Sequence, residues 1–467
     1  MEYVLALTGK QHSELHTHLF PSDGKEAVAF LLCGRRAGTQ RHRLAVRRVV
    51  CVPHEACLGR SDRHVSWPPA VLAPVLVEAE RSGLSVVKVH GHPNGFAAFS
   101  TTDDKADASL FPEVAEWVGL PVPHASAIML PGGSMFGRVF AGDGEPEPLS
   151  RVTVAGNDLW FWDKEQFSGS LPEFTRRHAQ AFGDGTAHLL GSLSVAVIGA
   201  SGTGSPVIEQ LFRLGVGVIV LVDDDKAEHR NLNRIINSTT KDADERRLKV
   251  DLIGDAINRA GLGTRVIRVP RNLWHPETVR AVGQCDIVIG CMDTVDGRFL
   301  LNLLSTYYLQ PYIDIGVRLD AVPDGPDKGR IREVCGSVHY LQPGKSSLLT
   351  RGLFTLDDVA AAGLRRRDPA AHDRQAKEGY IKGVAGHRPA VISVNMFAAS
   401  LAVTELLARF HPFREEPNAA YATTTFSFAS MELMNEAEEG SCPIMNPHVG
   451  KGDVRPLLRL PELGGGA

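Results

Sequence analysis

Apolar residues along this chain gather in short unbroken runs, with amphipathic stretches and turn-rich segments between them. In the first third the runs are Val28–Cys33, Ala45–Val52 and Leu84–Val89, each bounded by residues of the kind that end strands. Further on come Leu193–Ile198, Val216–Val222, Val266–Val269 and Asp286–Ile289, with helical stretches at Pro206–Leu214 and 247–260. A strand that is apolar at every position, not every second one, is buried on both faces. The pattern therefore predicts an α/β fold with parallel strands covered by helices. Pro389–Phe410 reads as a long apolar helix and Ala420–Met434 as a terminal strand pair. The texture changes over 146–185, where a Pro/Gly/acid stretch (GDGEPEPLS), the aromatic cluster Trp160, Phe161 and Trp162, and a helix-like PEFTRRHAQAFG follow one another. That segment is read as a linker and lead-in helix. It leaves domains at 1–145 and 186–440 and a C-terminal tail at 441–467 that ends in a disordered PELGGGA.

Length and composition agree with two soluble domains. The chain has 467 residues, 43% hydrophobic and 22% charged, with a formal charge of −4. No long basic block offsets that charge, which argues against a nucleic-acid partner. No apolar run approaches the ~18 residues of a membrane span, and MEYVLALTGKQHSE lacks a signal-peptide core, so a cytoplasmic location without a membrane partner is expected. The seven cysteines are scattered without a CxxC pair, which fits a reducing compartment.

The first chemical signal is the turn Gly199–Ser205 (GASGTGS) between an apolar strand and a helix. Glycines at such a turn let backbone N–H groups and the helix N-terminus meet a phosphate. Ser201 departs from the strict G-x-G-x-x-G spacing, so tight strand–helix packing or a dinucleotide site stays open on the turn alone. Asp223 then closes the second strand, where a carboxylate can accept from ribose hydroxyls. Asn231, Arg234 and Lys249 offer donors and positive charge for a triphosphate. Asp293 follows a buried strand, where it can hold Mg²⁺. In order, VAVIGASGTGSPVIEQL, VIVLVDDD, RNLNR, RRLKVD and DIVIGCMDT resemble the ThiF/MoeB/E1 superfamily, whose members adenylate the C-terminal glycine of ubiquitin-like proteins. The resemblance implies a Rossmann-like ATP-binding domain at 186–440 that uses ATP and Mg²⁺. Its nucleotide residues would be Gly199, Gly202, Gly204, Asp223, Asp225, Asn231, Arg234, Lys249 and Asp293. A homodimer is also implied.

The chain departs from relatives of that kind in two places. Many carry a structural zinc on two CxxC pairs, but here the corresponding segments read LQPGKSSLLTRG (Leu341–Gly352) and SCPIM (Ser441–Met445), so that zinc is expected to be absent. Thioester-forming relatives place a cysteine before the long terminal helix, and no cysteine lies between Cys335 and Cys442. Cys442, in a polar loop, is the one thiol expected to be exposed. Cys33, Cys51, Cys285, Cys291 and Cys335 are expected in the core, and Cys57 is unassigned.

The second signal is His90–Asp103, HGHPNGFAAFSTTD. Two histidines at i and i+2 of an extended segment point the same way. With Asp103 they make an open, three-ligand zinc site of the catalytic kind, and Glu26 opens the apolar segment expected beside it. HxHP-x₆-SxxD with an upstream glutamate resembles the JAMM motif of the JAB/MPN metalloproteases, an α/β family that cleaves after the C-terminal glycine of ubiquitin-like proteins. The resemblance implies Zn²⁺ on His90, His92 and Asp103, Glu26 as general base and Ser100 steadying the oxyanion. Both families act on a glycine-ended tail, so the partner expected is a ubiquitin-like or sulfur-carrier protein, with an E2-like protein downstream if conjugation follows. JAB–E1 fusions of this kind suggest a bacterial pathway, including antiphage defence.

Overall fold

The computed structural model describes residues 1–142, 144–164, 170–322, 325, 328–378 and 389–464. The chain divides into two compact units. One is Met1–Gln166 with Thr306–Leu309 and His448–Arg459; the other is Phe167–Ser305 with Gln310–Pro447 and Leu460–Ala467.

The first unit holds β1 (Glu2–Thr8), β2 (Val28–Ala37), β3 (Arg41–Cys51), β4 (Gly59–Arg60), β5 (Val65–Ser66), β6 (Ser85–Gly91), β7 (His124–Met129), β8 (Met135–Phe140), β9 (Glu147–Pro148), β10 (Arg151–Ala155) and β11 (Leu159–Asp163). Nine of these form one mixed sheet in the order β11-β10-β1-β3-β2-β6-β7-β8-β9, while β4 and β5 make a separate hairpin. Its helices are α1 (Gly9–Leu19), α2 (Pro69–Ser82) and α3 (Thr101–Val118). The unbroken apolar run of β2 explains the layering. Ala29, Leu31 and Cys33 enter a core with Leu15 and Leu19 of α1, whereas Val28, Phe30 and Leu32 enter a second core with Leu72, Val75 and Leu76 of α2 and Val114 of α3. Alternate side chains of one strand thus fill both layers.

The second unit holds β12 (Ser194–Ile198), β13 (Val218–Val222), β14 (Arg265–Val269), β15 (Ile287–Gly290), β16 (Tyr312–Ala321), β17 (Ile331–Leu341), β18 (Thr423–Ser427) and β19 (Glu432–Glu436). Their order is β14-β13-β12-β15-β16-β17-β18-β19. The first five are parallel and the last three antiparallel. Counted from β12, the parallel part runs 3-2-1-4-5, so the order reverses between β12 and β15, where Rossmann-like sheets bind nucleotides. Its helices are α4 (Arg176–Phe182), α5 (Asp184–Ser192), α6 (Gly204–Arg213), α7 (Thr240–Asp244), α8 (Lys249–Ala260), α9 (Pro276–Val282), α10 (Val295–Tyr308), α11 (Leu356–Arg367), α12 (Pro369–Lys377) and α13 (Ile392–Phe410). By length and composition α13 could cross a bilayer, yet 56% of it is buried inside the unit. It packs on α6, β16 and β17 as a core helix.

Two expectations need correction. The linker does not begin at 146: Arg151–Ala155 is buried throughout and pairs in parallel with β1, and Leu159–Asp163 closes the sheet edge. The aromatic cluster belongs to that edge strand, with Trp162 stacked on His12 at 5.5 Å. Nor is 441–467 a loose tail. Gly34 donates to the Gly450 carbonyl at 3.2 Å, Tyr308 Oη donates to Asp453 at 2.8 Å, and Arg36 pairs with Asp453 at 3.3 Å. Pro461–Leu463 forms a short 3₁₀ turn, and the final residues of PELGGGA, 465–467, lie outside the described residues.

Glycine makes the C-terminal docking possible. Gly452 has φ +64°, and a Cβ there would lie 2.2 Å from the Arg35 nitrogen. We predict that Gly452→Val destabilises the chain by about 2–5 kcal/mol, combining left-handed strain with overlap. Gly24→Ala, at φ +68° with nothing within 4 Å, should cost only about 1–2 kcal/mol. Calorimetry of the two variants checks this, and equal losses would remove the docking argument.

Candidate functional sites

In the first unit the site grows from β6, whose every residue is buried. Val86, Lys88 and His90 share the face toward α2 and α3, and His92 continues the alternation just past the strand end. His90 Nε2 lies 3.1 Å from His92 Nε2 and 3.0 Å from Asp103 Oδ1, and His92 Nε2 lies 3.7 Å from Asp103 Oδ2. Asp103 is delivered by the first turn of α3. Ser100 caps that helix, accepting from the Asp103 nitrogen at 3.2 Å and donating its hydroxyl proton to Asp103 Oδ2 at 2.7 Å. In this geometry Ser100 orients Asp103, and the oxyanion role implied for it would require that hydrogen bond to be exchanged.

Glu26 lies just before β2, whose Val28 pairs with His90. Its Oε1 is 4.0 Å from His92 Nε2. The β4–β5 hairpin fixes its backbone: the Glu26 nitrogen donates to Ser61 at 2.7 Å, and Arg60 Nε donates to the Glu26 carbonyl at 2.8 Å. Burial pushes the Glu26 carboxyl up to about 7, partly offset by His92. Burial holds the His90 imidazole below its ordinary value. For Asp103, hydrogen bonds from His90 and His92 outweigh burial and hold the carboxyl far below the usual carboxylate range. A cavity of about 240 Å³ opens on the group, lined by Glu26, His90 and Asp103 with Lys88, His64 and Trp67.

The donor set fits a metal ion. His92 Nδ1 faces the Phe96 carbonyl at 2.7 Å, so Nε2 is the ring nitrogen turned toward His90 and Asp103. The ligand atoms of His90, His92 and Asp103 all lie within 4.8 Å of one another, so one cation can reach all three. Tetrahedral zinc with bonds of about 2.0–2.2 Å separates its ligands by roughly 3.3 Å, close to the distances found. The Phe96 carbonyl supplies the outer hydrogen bond that such histidines usually have, while His90 Nδ1 has no partner among the described residues.

In the second unit the loop after β12 lies at the reversal point. Gly199 has φ +94°, and a Cβ there would stand 2.7 Å from the Cys291 carbonyl beyond β15. Gly204 begins α6. Asp223, at the end of β13, accepts from the Ala200 nitrogen at 2.8 Å and the Asp225 nitrogen at 2.9 Å. Lys249 pairs with Asp225 at 2.6 Å and lies 3.7 Å from Asp223. Burial raises the Asp223 carboxyl, and Lys249 opposes the rise. Gly202 faces Arg234 and Asn395, with a Cβ position 2.9 Å from the arginine Cδ and 2.5 Å from the asparagine Nδ2. Asn231 is buried and accepts from the Glu228 nitrogen at 3.0 Å. Asp293 is exposed in the loop between β15 and α10.

The exposure expected for Cys442 is overturned. Its side chain is fully buried, and its backbone nitrogen donates to Lys345 at 3.0 Å. Next to it, Arg351 pairs with Glu438 at 3.0 Å, and Ser346 donates its backbone nitrogen to the same carboxylate at 3.1 Å. Cys33 and Cys285 are buried as expected, whereas Cys51, Cys57, Cys291 and Cys335 are partly exposed. Sequence reading also missed residues. Lys88 interrupts an apolar strand two residues before His90, and a lysine in such a run was the available signal. Arg298, which donates to Asp314 at 3.0 Å beneath the nucleotide loop's neighbour β15, and Asn395 carried no such signal.

A Rossmann-like unit and an α/β unit with a His–His–Asp cluster define the class of this chain. Residues 175–444, more than half of its length, match the ThiF family, and the chain belongs to that family. Residues 9–139 match the prokaryotic homologs of the JAB domain, so the two domains are fused in one chain. The adenylyltransferase and sulfurtransferase UBA4 of Meyerozyma guilliermondii is 29% identical over 158 residues, covering 32% of this chain and 37% of that protein. Ubiquitin-like modifier-activating enzyme 5 of Culex quinquefasciatus is 24% identical over 206 residues, covering 41% and 48%. The SAMP-activating enzyme E1 of Haloferax volcanii is 30% identical over 149 residues, covering 31% and 54%. The chain spans about a third to a half of the length of the curated relatives it matches. Among solved structures, E. coli MccB with MccA-N7isoASN aligns at a TM-score of 0.46 and 17% identity, over 61% of this chain and 77% of that one.

The unusual Glu26 gives a pH-dependent expectation. This carboxyl ionises near 4.5 when unfolded and near 7 when folded, so stability due to its neutral form is lost as pH rises between those values. In chelator, Glu26→Gln should therefore raise the melting temperature more at pH 8 than at pH 5. A gain independent of pH would show that the carboxyl is not held neutral.

Proposed function

We propose that this chain is a bifunctional enzyme acting on a protein tail that ends in glycine, adenylating its carboxylate in the second unit and hydrolysing the bond after that glycine in the first. The convergence of His90, His92 and Asp103 beside a buried Glu26 carries the hydrolytic half. Membership of the ThiF family, with Asp223 and Lys249 at the sheet's reversal point, supports the adenylating half.

In the adenylation reaction the tail carboxylate attacks the α-phosphorus of ATP, the bond to the β-phosphate oxygen breaks, and pyrophosphate leaves. The loop amides after Gly199, with Arg234 and Lys249, are the groups available to neutralise phosphate charge. In this reading Asp223 accepts from the ribose and Asp293 would hold Mg²⁺. Lys249 must exchange at least part of its pairing with Asp225 for phosphate, so an apo-to-bound change at this pair belongs to the reading.

Zinc on His90, His92 and Asp103 would supply a bound water acidic enough to ionise near neutrality. In this reading Glu26 takes a proton from a water in the cavity and returns it to the departing nitrogen. Ser100 keeps Asp103 turned toward the histidines.

The UBA4 relatives, by name both adenylyltransferases and sulfurtransferases, favour a second reading in which the adenylate is passed to a sulfur donor for cofactor or amino-acid biosynthesis. An E2-like acceptor belongs to the conjugation reading, whereas a homodimer through the second unit belongs to both. Persistence of the product as a thiocarboxylate, not as a conjugate, would decide for sulfur transfer.

The two halves are separable by mutation. With a glycine-ended ubiquitin-like partner, Asp293→Ala should abolish ATP–pyrophosphate exchange and leave cleavage of a tail-extended partner intact. Glu26→Gln should reduce cleavage by roughly 10²–10⁴-fold and leave exchange unchanged. Full cleavage by Glu26→Gln would refute its role as the base.

A further inference from the structure

Lys88 is a buried cation that the proposed hydrolysis does not use. It lies on β6 two residues before His90, on the same face, and is 3% exposed. Its ammonium pairs with Asp107, which is 1% exposed. Asp107 stands one helical turn beyond Asp103 on α3, so the two carboxylates share a side of that helix. Asp107 Oδ2 also accepts from Arg138 Nε at 3.0 Å and Nη2 at 2.7 Å, and Arg138 Nη1 continues to Asp104 at 2.6 Å. Arg138 is on β8, which reaches β6 through β7 in the sheet.

The cluster therefore ties together the strand that carries the histidines, the helix that carries Asp103 and a third strand. Stability alone does not account for it, because an apolar replacement of a buried ion pair is often neutral or stabilising. Its placement has a geometric consequence. Asp103 is fixed in the first turn of α3, so its distance from the histidines follows the spacing of α3 from β6. The Lys88–Asp107 pair sets that spacing four residues away.

We propose that Lys88, Asp107 and Arg138 form a positioning brace that holds His90, His92 and Asp103 at metal-binding separation. This inference rests on the zinc-hydrolase reading. Lys88 is a positioning residue that acts through β6 and α3. It also lines the cavity, and direct capture of a substrate anion by its ammonium is the competing role that the test must separate.

The experiment is a competitive chelator titration of Zn²⁺ on the full chain, accompanied by the visible spectrum of the Co²⁺-substituted protein. Lys88→Met should weaken zinc binding by about 10–100-fold, as loss of an outer support does, and alter the Co²⁺ bands; it also leaves the buried Asp107 with Arg138 alone, so the metal-free chain should melt lower. Lys88→Arg should recover most of the affinity. Should Lys88→Met not fold, Asp107→Asn, which keeps an acceptor for both cations, carries the same expectation. Native zinc affinity and Co²⁺ bands in the variants would overturn the brace. A raised KM for tail cleavage with unchanged zinc affinity would also overturn it, in favour of substrate binding. If the native chain binds zinc no better than His90→Ala, the zinc reading itself fails, a result distinct from failure of the brace.

Discussion

A strand buried along its whole length cannot place polar side chains freely, because each one needs a partner inside the protein. β6 is such a strand, and Lys88 and His90 meet that constraint toward α3, as His92 does just beyond its end. The lysine finds Asp107, and the imidazoles find Asp103 and each other. Much of the first unit can be understood as the structure needed to satisfy this one polar row. The Ser100 cap aims Asp103, the hairpin fixes Glu26, and β8 sends Arg138 to the far side of Asp107. Removing water from these groups is also what gives Glu26 its high pKa.

The second unit solves a related problem with backbone in place of side chains. Parallel sheets bind ligands where their strand order reverses, and β12 and β15 end there at Gly199 and Cys291, which stay closely packed. Around that point the chain collects an aspartate, a lysine and an arginine from separate elements. Lys249 pairs with Asp225 and lies near Asp223, while Arg234 donates to the Arg230 carbonyl. The two units thereby carry two different kinds of site: one built of buried side chains, the other of loop amides and charges.

The order in which these features could be read from the sequence follows their physical origin. β2, β6, β12 and β13 were legible because continuous apolar runs admit few alternatives, and the convergence of His90 and His92 was legible because their spacing on an extended segment fixes their direction. The strands of 151–163 were obscured, since the exposed Trp160 and partly buried Trp162 of an edge strand do not form a buried run. Cys442 was misjudged because its neighbours are polar. A polar loop can still bury one residue when ion pairs such as Arg351–Glu438 hold the loop down. Asp107 and Arg138 could not be linked to Lys88 without the fold, since the contacts span 19 and 31 residues.

The central claim is that the metal chemistry of this chain resides on imidazole and carboxylate in the first unit, with no thiolate zinc site in the second. X-ray absorption at the zinc edge of the full chain tests it most directly. The account predicts about one zinc per chain with only nitrogen and oxygen neighbours near 2.0–2.2 Å. Sulfur scattering near 2.3 Å, or zinc retained when His90 and His92 are both replaced by alanine, would contradict it.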